Sequence, residues 1–325
     1  MNQPPAKLET RMHRGRTTAL TVLALIGLTA GLGAPAHADA ADAASIIDPH
    51  ELAQFDLSAL QQPENLVLEP NGSVDLTFNR AREVARVGAN GSLTILATLP
   101  QDTAGNALAT GIVRMPDGTL YVNYAAGAQS GIWRIPPNGG TPRQVVAVPD
   151  AAALNGLAYD AGRHALYATD STLGVVWKIS LTEDTAEIWA QGAQLQPATA
   201  SGKGANGLKV HDGAVWVSNT TLGTLLRIPV EPDGTAGTAS VAAQGVTGID
   251  DFAFASDGEV VAAQNALSEA SVVNVQSGTH SLVLTAADGL SNPTSVAIRG
   301  NTVYIASGAY FTHTDPNLLT ATLTR

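Results

Sequence analysis

The sequence predicts an all-β protein, specifically a six-bladed β-propeller. A self-similar unit recurs six times, and each copy contains two short apolar strands joined by a tight turn with glycine. The copies are regularly spaced and no long helical pattern interrupts them, which is typical of propeller blades of four strands each. A β-sandwich would show similar turns but gives no reason for a constant period.

The six copies align on the polar residue that opens the first apolar strand of each. These residues are Glu64, Thr110, Asn155, Asn206, Asp250 and Thr294, with spacings of 46, 45, 51, 44 and 44. A hairpin turn follows each of them, at Asn71-Gly72, Asp117-Gly118, near Gly162, Asp212-Gly213, Asp257-Gly258 and Gly300-Asn301. Asn-Gly and Asp-Gly pairs are strong hairpin signals, so each copy supplies the first two strands of a blade.

Further apolar segments complete the blades. Third strands are visible at residues 131–135, 175–179 and 225–228. The alternating residues 318–323 are predicted to add a strand to the sixth blade, and residues 50–60 to close the ring from the other end of the chain.

The first 38 residues have the pattern of a cleaved secretory signal. Its positive segment contains Lys7, Arg11, Arg14 and Arg16. An apolar run over residues 17–33 follows, and Ala36-His37-Ala38 is the small-x-small sequence that signal peptidase cleaves. The run is too short for a membrane anchor. We therefore expect residues 1–38 to be removed and residues 39–325 to form one secreted propeller domain.

The composition excludes several partners and sites. The 325-residue chain has a formal net charge of −11; removing four positive residues and one negative residue with the signal leaves −14. An acidic protein repels phosphate backbones and anionic lipids, so we expect neither nucleic acid nor membrane as partner. Without cysteine there is no disulfide, thiolate metal site or cysteine nucleophile. We expect a monomer with a small-molecule substrate.

The six aligned residues predict a ring of side-chain oxygens at the propeller axis, because the first strand of each blade lies nearest to it. Two carboxylates, Glu64 and Asp250, would repel each other there unless one stayed protonated or a cation lay between them. Oxygen ligands without Cys or His favour Ca²⁺ or Mg²⁺. We predict a site for Ca²⁺, or another divalent cation, held by Glu64, Asn155, Asn206 and Asp250. A polar structural plug is the alternative.

The blades and these four residues resemble the superfamily of senescence marker protein, gluconolactonase and luciferin-regenerating enzyme. The resemblance covers nearly the whole chain after residue 38 and implies a divalent ion at the centre of a lactonase or related hydrolase. A narrower similarity is to fungal propellers of this superfamily, some of which are hetero-Diels–Alder cyclases. Its residues are Glu64-Asn65-Leu66, 206–210, Ser218-Asn219-Thr220 and Asp250-Asp251-Phe252.

Loops that follow the second strand of each blade open onto the same face as the predicted cation. Together with two ring threonines, their residues are predicted to contact substrate: Thr110, Tyr124, Asp170, Asn219, Asn265, Thr294, Tyr310 and His313. The paraoxonase-like branch of the superfamily has histidines beside its metal, whereas His164 and His211 are predicted on the opposite face, exposed to solvent. A carboxylate, Asp250 or Asp251, is therefore the candidate to activate water.

The favoured activity is metal-assisted hydrolysis of a lactone or related ester. Two alternatives stay open: a cyclase that orients a reactive polyene without needing a metal, and a propeller that binds a ligand or protein without catalysis. The sequence motifs of the serine-hydrolase elbow, the phosphate-binding loop and the zinc-peptidase helix are absent.

Overall fold

The computed structural model describes residues 44–102, 104–148 and 153–325. The predicted signal, residues 1–38, lies outside these ranges. The described residues form six antiparallel sheets of four strands, which confirms the six-bladed propeller. Four short 3₁₀ helices lie between strands, at Leu57–Ala59, Gly127–Gln129, Asn265–Leu267 and Ala286–Asp288. In the described ranges, no helix has the length and apolar character needed to span a membrane.

Each blade takes its strands from one stretch of the chain, except the sixth. Blade 1 contains β2 (Pro63–Leu68), β3 (Val74–Phe78), β4 (Glu83–Val87) and β5 (Leu93–Thr98). Blade 2 contains β6 (Leu108–Arg114), β7 (Leu120–Ala125), β8 (Gly131–Ile135) and β9 (Arg143–Ala147). Blade 3 contains β10 (Leu154–Asp160), β11 (Ala165–Asp170), β12 (Val175–Ser180) and β13 (Thr185–Gln191).

The second half of the ring follows the same order. Blade 4 contains β14 (Ala205–His211), β15 (Ala214–Asn219), β16 (Thr224–Pro229) and β17 (Ser240–Gln244). Blade 5 contains β18 (Ile249–Ser256), β19 (Glu259–Gln264), β20 (Glu269–Asn274) and β21 (His280–Leu284). Blade 6 contains β22 (Pro293–Arg299), β23 (Thr302–Ser307) and β24 (Asn317–Thr324), and its outermost strand is β1 (Ser45–Gln54).

The ring is closed by pairing the two ends of the described chain in blade 6. Strand β1 runs antiparallel to β24, from Ser45 opposite Thr324 to Gln54 opposite Asn317. The closing strand therefore lies nearer to the N-terminus than the predicted residues 50–60. Strand β1 ends at Gln54, since the Asp56 carboxylate accepts the Ser58 N–H at 2.8 Å and caps a 3₁₀ turn instead of continuing the strand.

The first strands of the blades form the inner ring, where β2 contacts both β6 and β22. Each first strand bulges at its aligned polar residue. In blade 3, for example, the register passes from Leu154 opposite Asp170 to Leu157 opposite Ala168, so that Asn155 and Gly156 face Thr169. A bulge re-aims the side chains of a strand. This distortion recurs at the aligned residue of every blade.

Hydroxyls opposite the bulges tie neighbouring blades together. Thr169 Oγ1 accepts the Gly156 N–H at 2.8 Å and donates to the carbonyl of Asn206 in the next blade. Ser218 Oγ does the same between Gly207 and Asp250. These bonds satisfy backbone groups that the bulge leaves without ladder partners. They also fix the position of each polar residue relative to the next blade.

The glycines that follow the ring residues are required by close approach of the inner strands. A Cβ on Gly156 would lie 2.5 Å from the carbonyl oxygen of Asn206, and one on Gly207 would lie 2.6 Å from Asp251 Cα. Real Cβ atoms do not approach backbone so closely. The Asn155-Gly156 and Asn206-Gly207 pairs are thus packing features of the inner ring rather than turns.

Replacing Gly156 with alanine is expected to lower the free energy of unfolding by about 1–3 kcal/mol or more, because the added methyl group forces two inner strands apart. Chemical denaturation measures this change. The matched control is Gly258→Ala, since a Cβ there meets nothing closer than 3.6 Å. Equal stability of Gly156→Ala and the native protein would show that the inner strands are not in close contact.

Candidate functional site

A cavity of about 230 Å³ opens at one end of the propeller axis. Five of the six aligned residues line it, namely Glu64, Thr110, Asn155, Asn206 and Asp250. Thr294 does not: its Oγ1 lies 3.1 Å from the carbonyl of Pro63 and 3.2 Å from that of Ala306, to which it donates. This threonine links blades 6 and 1 and is not among the residues that line the cavity.

The two carboxylates of the ring are buried and hydrogen-bonded to amides. Asn155 Nδ2 donates to Glu64 Oε1 at 3.1 Å, and the Tyr310 hydroxyl donates to Glu64 Oε2. Asn206 Nδ2 donates to Asp250 Oδ1 at 2.8 Å. Each carboxylate therefore has at least one neutral donor, but none forms an ion pair within the described residues.

Burial and mutual repulsion make ionisation of this site unfavourable. Burial raises the pKa of Glu64, and hydrogen bonds from Tyr310 and Asn155 offset part of that rise. Burial also raises the pKa of Asp250 well above its ordinary value, with further contributions from the negative charges of Glu64 and Asp251. For the same reasons, burial first and Glu64 second, the pKa of Tyr310 is well above its ordinary value.

The residues of the ring fit a hard divalent cation. Asn206 Oδ1 is buried and has no hydrogen-bond partner, although the Nδ2 of the same amide donates to Asp250 and to Thr220 Oγ1. An unpartnered buried acceptor is costly unless something binds it. Among the described residues, no three or more His, Cys, Asp or Glu side chains are grouped so as to hold a metal ion by themselves. Two carboxylates with amide oxygens suit Ca²⁺ rather than zinc or copper.

Three residues predicted to contact substrate lie one position away from the cavity. The structure places Ala125, Ser171 and Thr220 on its wall instead of Tyr124, Asp170 and Asn219. Successive side chains of a strand point to opposite sides, so a shift of one residue changes the side. Asn79 and Asn265 occupy the equivalent positions in blades 1 and 5 and also line the cavity.

The three displaced residues fix loops instead. The Tyr124 hydroxyl donates to the Pro100 carbonyl. The Asp170 carboxylate accepts the backbone N–H groups of Ala153, Thr172 and Leu173 at 3.0, 3.1 and 2.9 Å. Asn219 Nδ2 donates to the carbonyls of Gln194 and Gln196, both at 2.9 Å.

The sixth blade contributes a side chain from further along its loop than the other blades do. Gly308 stands at the position of Asn79 and Asn265, and a Cβ there would lie 3.0 Å from the Tyr310 ring. The missing side chain therefore makes room for Tyr310, which lines the cavity. His313, in the same loop, is exposed and is not among the lining residues.

Asp251 is held away from the cavity by an ion pair. Its carboxylate accepts from Lys209 Nζ at 2.5 and 2.7 Å and from Ser295 Oγ at 2.7 Å. Lys209 lines a separate depression together with Phe254 and His211, whose rings stack at 3.9 Å. His211 is thus partly covered rather than fully solvated. Of the two predicted water-activating carboxylates, the structure leaves Asp250 at the cavity.

Several solved structures resemble this one. A proposed gluconolactonase shares 13% identity over 85% of this chain and 92% of its own, with a TM-score of 0.64. Luciferin-regenerating enzyme shares 11% identity over 85% of this chain and 95% of its own, with a TM-score of 0.63. Virginiamycin B lyase from Staphylococcus aureus shares 13% identity over 86% of this chain and 100% of its own, with a TM-score of 0.58. The chain has the fold of these propellers. No family model and no curated protein matches its sequence.

The resemblance predicted from the sequence is therefore confirmed at the level of the fold, since two of these neighbours are the proposed gluconolactonase and luciferin-regenerating enzyme. Identities of this size carry no residue roles from one propeller to another.

Lys203 and Phe311 are among the residues of the cavity that were missed from the sequence. Lys203 lines it from the loop between β13 and β14, and Phe311 lines it from the loop between β23 and β24. Phe311 is 66% exposed, the highest value among the large exposed apolar side chains of the described chain. The only signal for Lys203 was the longer spacing of 51 residues between the third and fourth copies.

Asp250→Asn is expected to raise the free energy of unfolding of the chelator-treated protein at pH 8. Because the pKa of Asp250 is raised in the folded state, folding favours its protonated form. The native protein therefore loses stability as the pH rises above the ordinary aspartate value of about 4. The variant lacks this loss, and its advantage should vanish at acidic pH.

Denaturant unfolding at a series of pH values measures the effect. Glu187→Gln is the control, since that side chain is 72% exposed and its distance to Lys178 is 3.9 Å. Lower stability of Asp250→Asn at pH 8 would show that the buried carboxylate is favourably paired in the native protein.

Proposed function

We propose that this protein hydrolyses small lactones or related esters with the help of a divalent cation, Ca²⁺ in the first place. Glu64, Asn155, Asn206 and Asp250 would hold the cation. One observation carries the proposal: two buried carboxylates face a common cavity and their ionisation is opposed by burial and repulsion, while a buried amide oxygen beside them lacks a partner. A cation would relieve all three costs.

The cation would supply electrostatic stabilisation of the oxyanion that forms when water attacks a carbonyl group. The water molecule needs a proton acceptor, and Asp250 is suited to that role. Its Oδ1 accepts from Asn206, whereas Oδ2 accepts no hydrogen bond from the described residues. Tyr310 orients the Glu64 carboxylate through its hydroxyl.

The walls of the cavity favour a small substrate. Its volume of about 230 Å³ lies below the range of about 300–1,000 Å³ that is usual for drug-sized ligands. Leu108, Leu154 and Ala266 provide apolar surface, and Phe311 extends it at an exposed position. A lactone ring matches this combination of apolar wall and polar floor better than an extended polyene does. We therefore rank hydrolysis above cyclisation and above ligand binding without catalysis.

We also propose that the protein acts outside the cytoplasm, after residues 1–38 have been cleaved from the propeller as a signal. The charge pattern and the Ala36-His37-Ala38 sequence support this proposal. A site for a weakly acidic cation such as Ca²⁺ is consistent with it, since extracellular modules bind Ca²⁺ at about 10⁻⁴–10⁻³ M.

Chelation is expected to abolish hydrolysis of a panel of small lactones, and added Ca²⁺ to restore it, while the β-rich circular dichroism spectrum stays unchanged. Asn206→Asp and Asn155→Asp refine this test. Each adds a negative charge to the site, so each should tighten Ca²⁺ binding but weaken its effect on the carbonyl group. Turnover should fall by about 10–10³-fold.

Calcium affinity and lactone turnover are measured on the same preparations, with Asn301→Asp as a control at a distant exposed turn. Tighter Ca²⁺ binding with unchanged turnover would leave the ion a structural role. Turnover that persists without any divalent cation would contradict the proposal and favour the metal-independent alternatives.

A further inference from the structure

Lys203 introduces a positive charge into a cavity that otherwise contains carboxylates, amides and apolar groups. It lies in the segment of residues 192–204, which connects blades 3 and 4, whereas residues 245–248 suffice to connect blades 4 and 5. The longer connection lengthens the spacing of the aligned residues to 51 and carries the lysine to the mouth of the cavity.

The backbone of Lys203 is fixed although its side chain is exposed. The Lys203 carbonyl accepts from Thr221 N at 3.0 Å and from Thr221 Oγ1 at 2.9 Å. The following residue is Gly204, where a Cβ would lie 2.4 Å from the Leu195 carbonyl oxygen. The loop is therefore packed tightly against itself and holds the lysine at a defined place on the rim.

The ammonium group of Lys203 forms no hydrogen bond and no ion pair of 4.0 Å or less with the part of the chain that the structure describes. Its positive charge nevertheless lowers the pKa of both ring carboxylates, partly offsetting the rise caused by burial. An ammonium without a close partner at the mouth of a binding cavity is available to a ligand. Lysine binds carboxylates and similar anions as a point charge with three donors.

The balance of charge indicates what kind of ligand this is. If both carboxylates are ionised and a divalent cation is bound, as the proposed function assumes, Lys203 leaves the cavity with one net positive charge. A poorly solvated site is most stable when its charges cancel. A ligand with a single negative charge would achieve this, whereas a neutral lactone would not.

We infer that Lys203 is an anion-binding residue and that the protein's substrate is a small lactone or ester that also carries a carboxylate. The inference rests on the proposed function for the reaction and for the cation in the charge balance, whereas the position of Lys203 at the cavity does not depend on it. Lys203 selects the substrate through a group remote from the reacting carbonyl. Its removal should therefore raise KM more than it lowers kcat.

Two matched pairs of compounds test the inference. The substrates are a γ-butyrolactone with a carboxylate on the ring carbon beside the ring oxygen, and its neutral carboxamide. The non-hydrolysable ligands are the tetrahydrofuran analogues that lack the lactone carbonyl. Steady-state kinetics is applied to the first pair and titration calorimetry to the second, both with Ca²⁺ present.

Lys203→Met should reduce kcat/KM for the carboxylate lactone, and affinity for the carboxylate analogue, by about 10- to 100-fold. The carboxamides should change less than about 3-fold. Lys203→Arg should retain the preference for the carboxylates, and Lys178→Met, at a surface position paired with Glu187, should behave as the native protein. High salt should weaken the preference because Lys203 is exposed.

Equal losses for carboxylate and carboxamide lactones would show that Lys203 acts on the reacting group, and no loss would show that it only balances the ring carboxylates; either result overturns the inference. If no lactone is hydrolysed but the carboxylate analogue binds and loses affinity in Lys203→Met, the proposed reaction fails and the anion site stands.

Discussion

The structure of this site depends on the cost of burying two carboxylates in one cavity. Glu64 comes from blade 1 and Asp250 from blade 5, and both are nearly inaccessible to solvent. Most buried carboxylates in proteins are paired with a cationic side chain. Here their direct partners are a tyrosine hydroxyl and two amides, which are neutral. The arrangement is costly without a cation, and this cost favours a binding function over a structural plug.

The fold contributes by fixing these groups before any ligand arrives. Each ring residue sits on a bulge of an inner strand, and the backbone carbonyls of Asn206 and Asp250 accept bonds from the preceding blades. Glycines after the asparagines allow the strands to approach within van der Waals contact. The charges cannot separate without distorting the inner ring. Pre-organised polar groups of this kind stabilise charge without further rearrangement.

The sequence was sufficient for the fold and for the ring, because both follow from a repeat. Alignment of the six copies located Glu64, Asn155, Asn206 and Asp250 at one register, and the structure brings them to one cavity. The walls were harder to predict. Successive side chains of a strand point to opposite sides, so an error of one residue in the prediction puts Tyr124 on the cavity wall in place of Ala125. No sequence feature marks where the strand ends.

Other residues depend on contacts between blades that the repeat does not encode. Thr294 shares the register of the ring, but Tyr310 and Gly308 of its own blade change the local packing, and its hydroxyl bonds to blade 1. Asp251 adjoins the site in sequence, yet an ion pair with Lys209 of the neighbouring blade holds it elsewhere. Lys203 belongs to a connection of irregular length. Loops of this kind differ between blades, and specificity is commonly found in them.

The central claim is that one divalent cation binds between Glu64 and Asp250, and titration of Ca²⁺ into chelator-treated protein tests it most directly. We expect calorimetry to show one bound ion per chain. Glu64→Gln should abolish saturable binding while its circular dichroism spectrum stays that of the native protein, and Glu187→Gln should bind as the native protein does. Absence of Ca²⁺ binding to the native protein, or unchanged binding in Glu64→Gln, would contradict the claim.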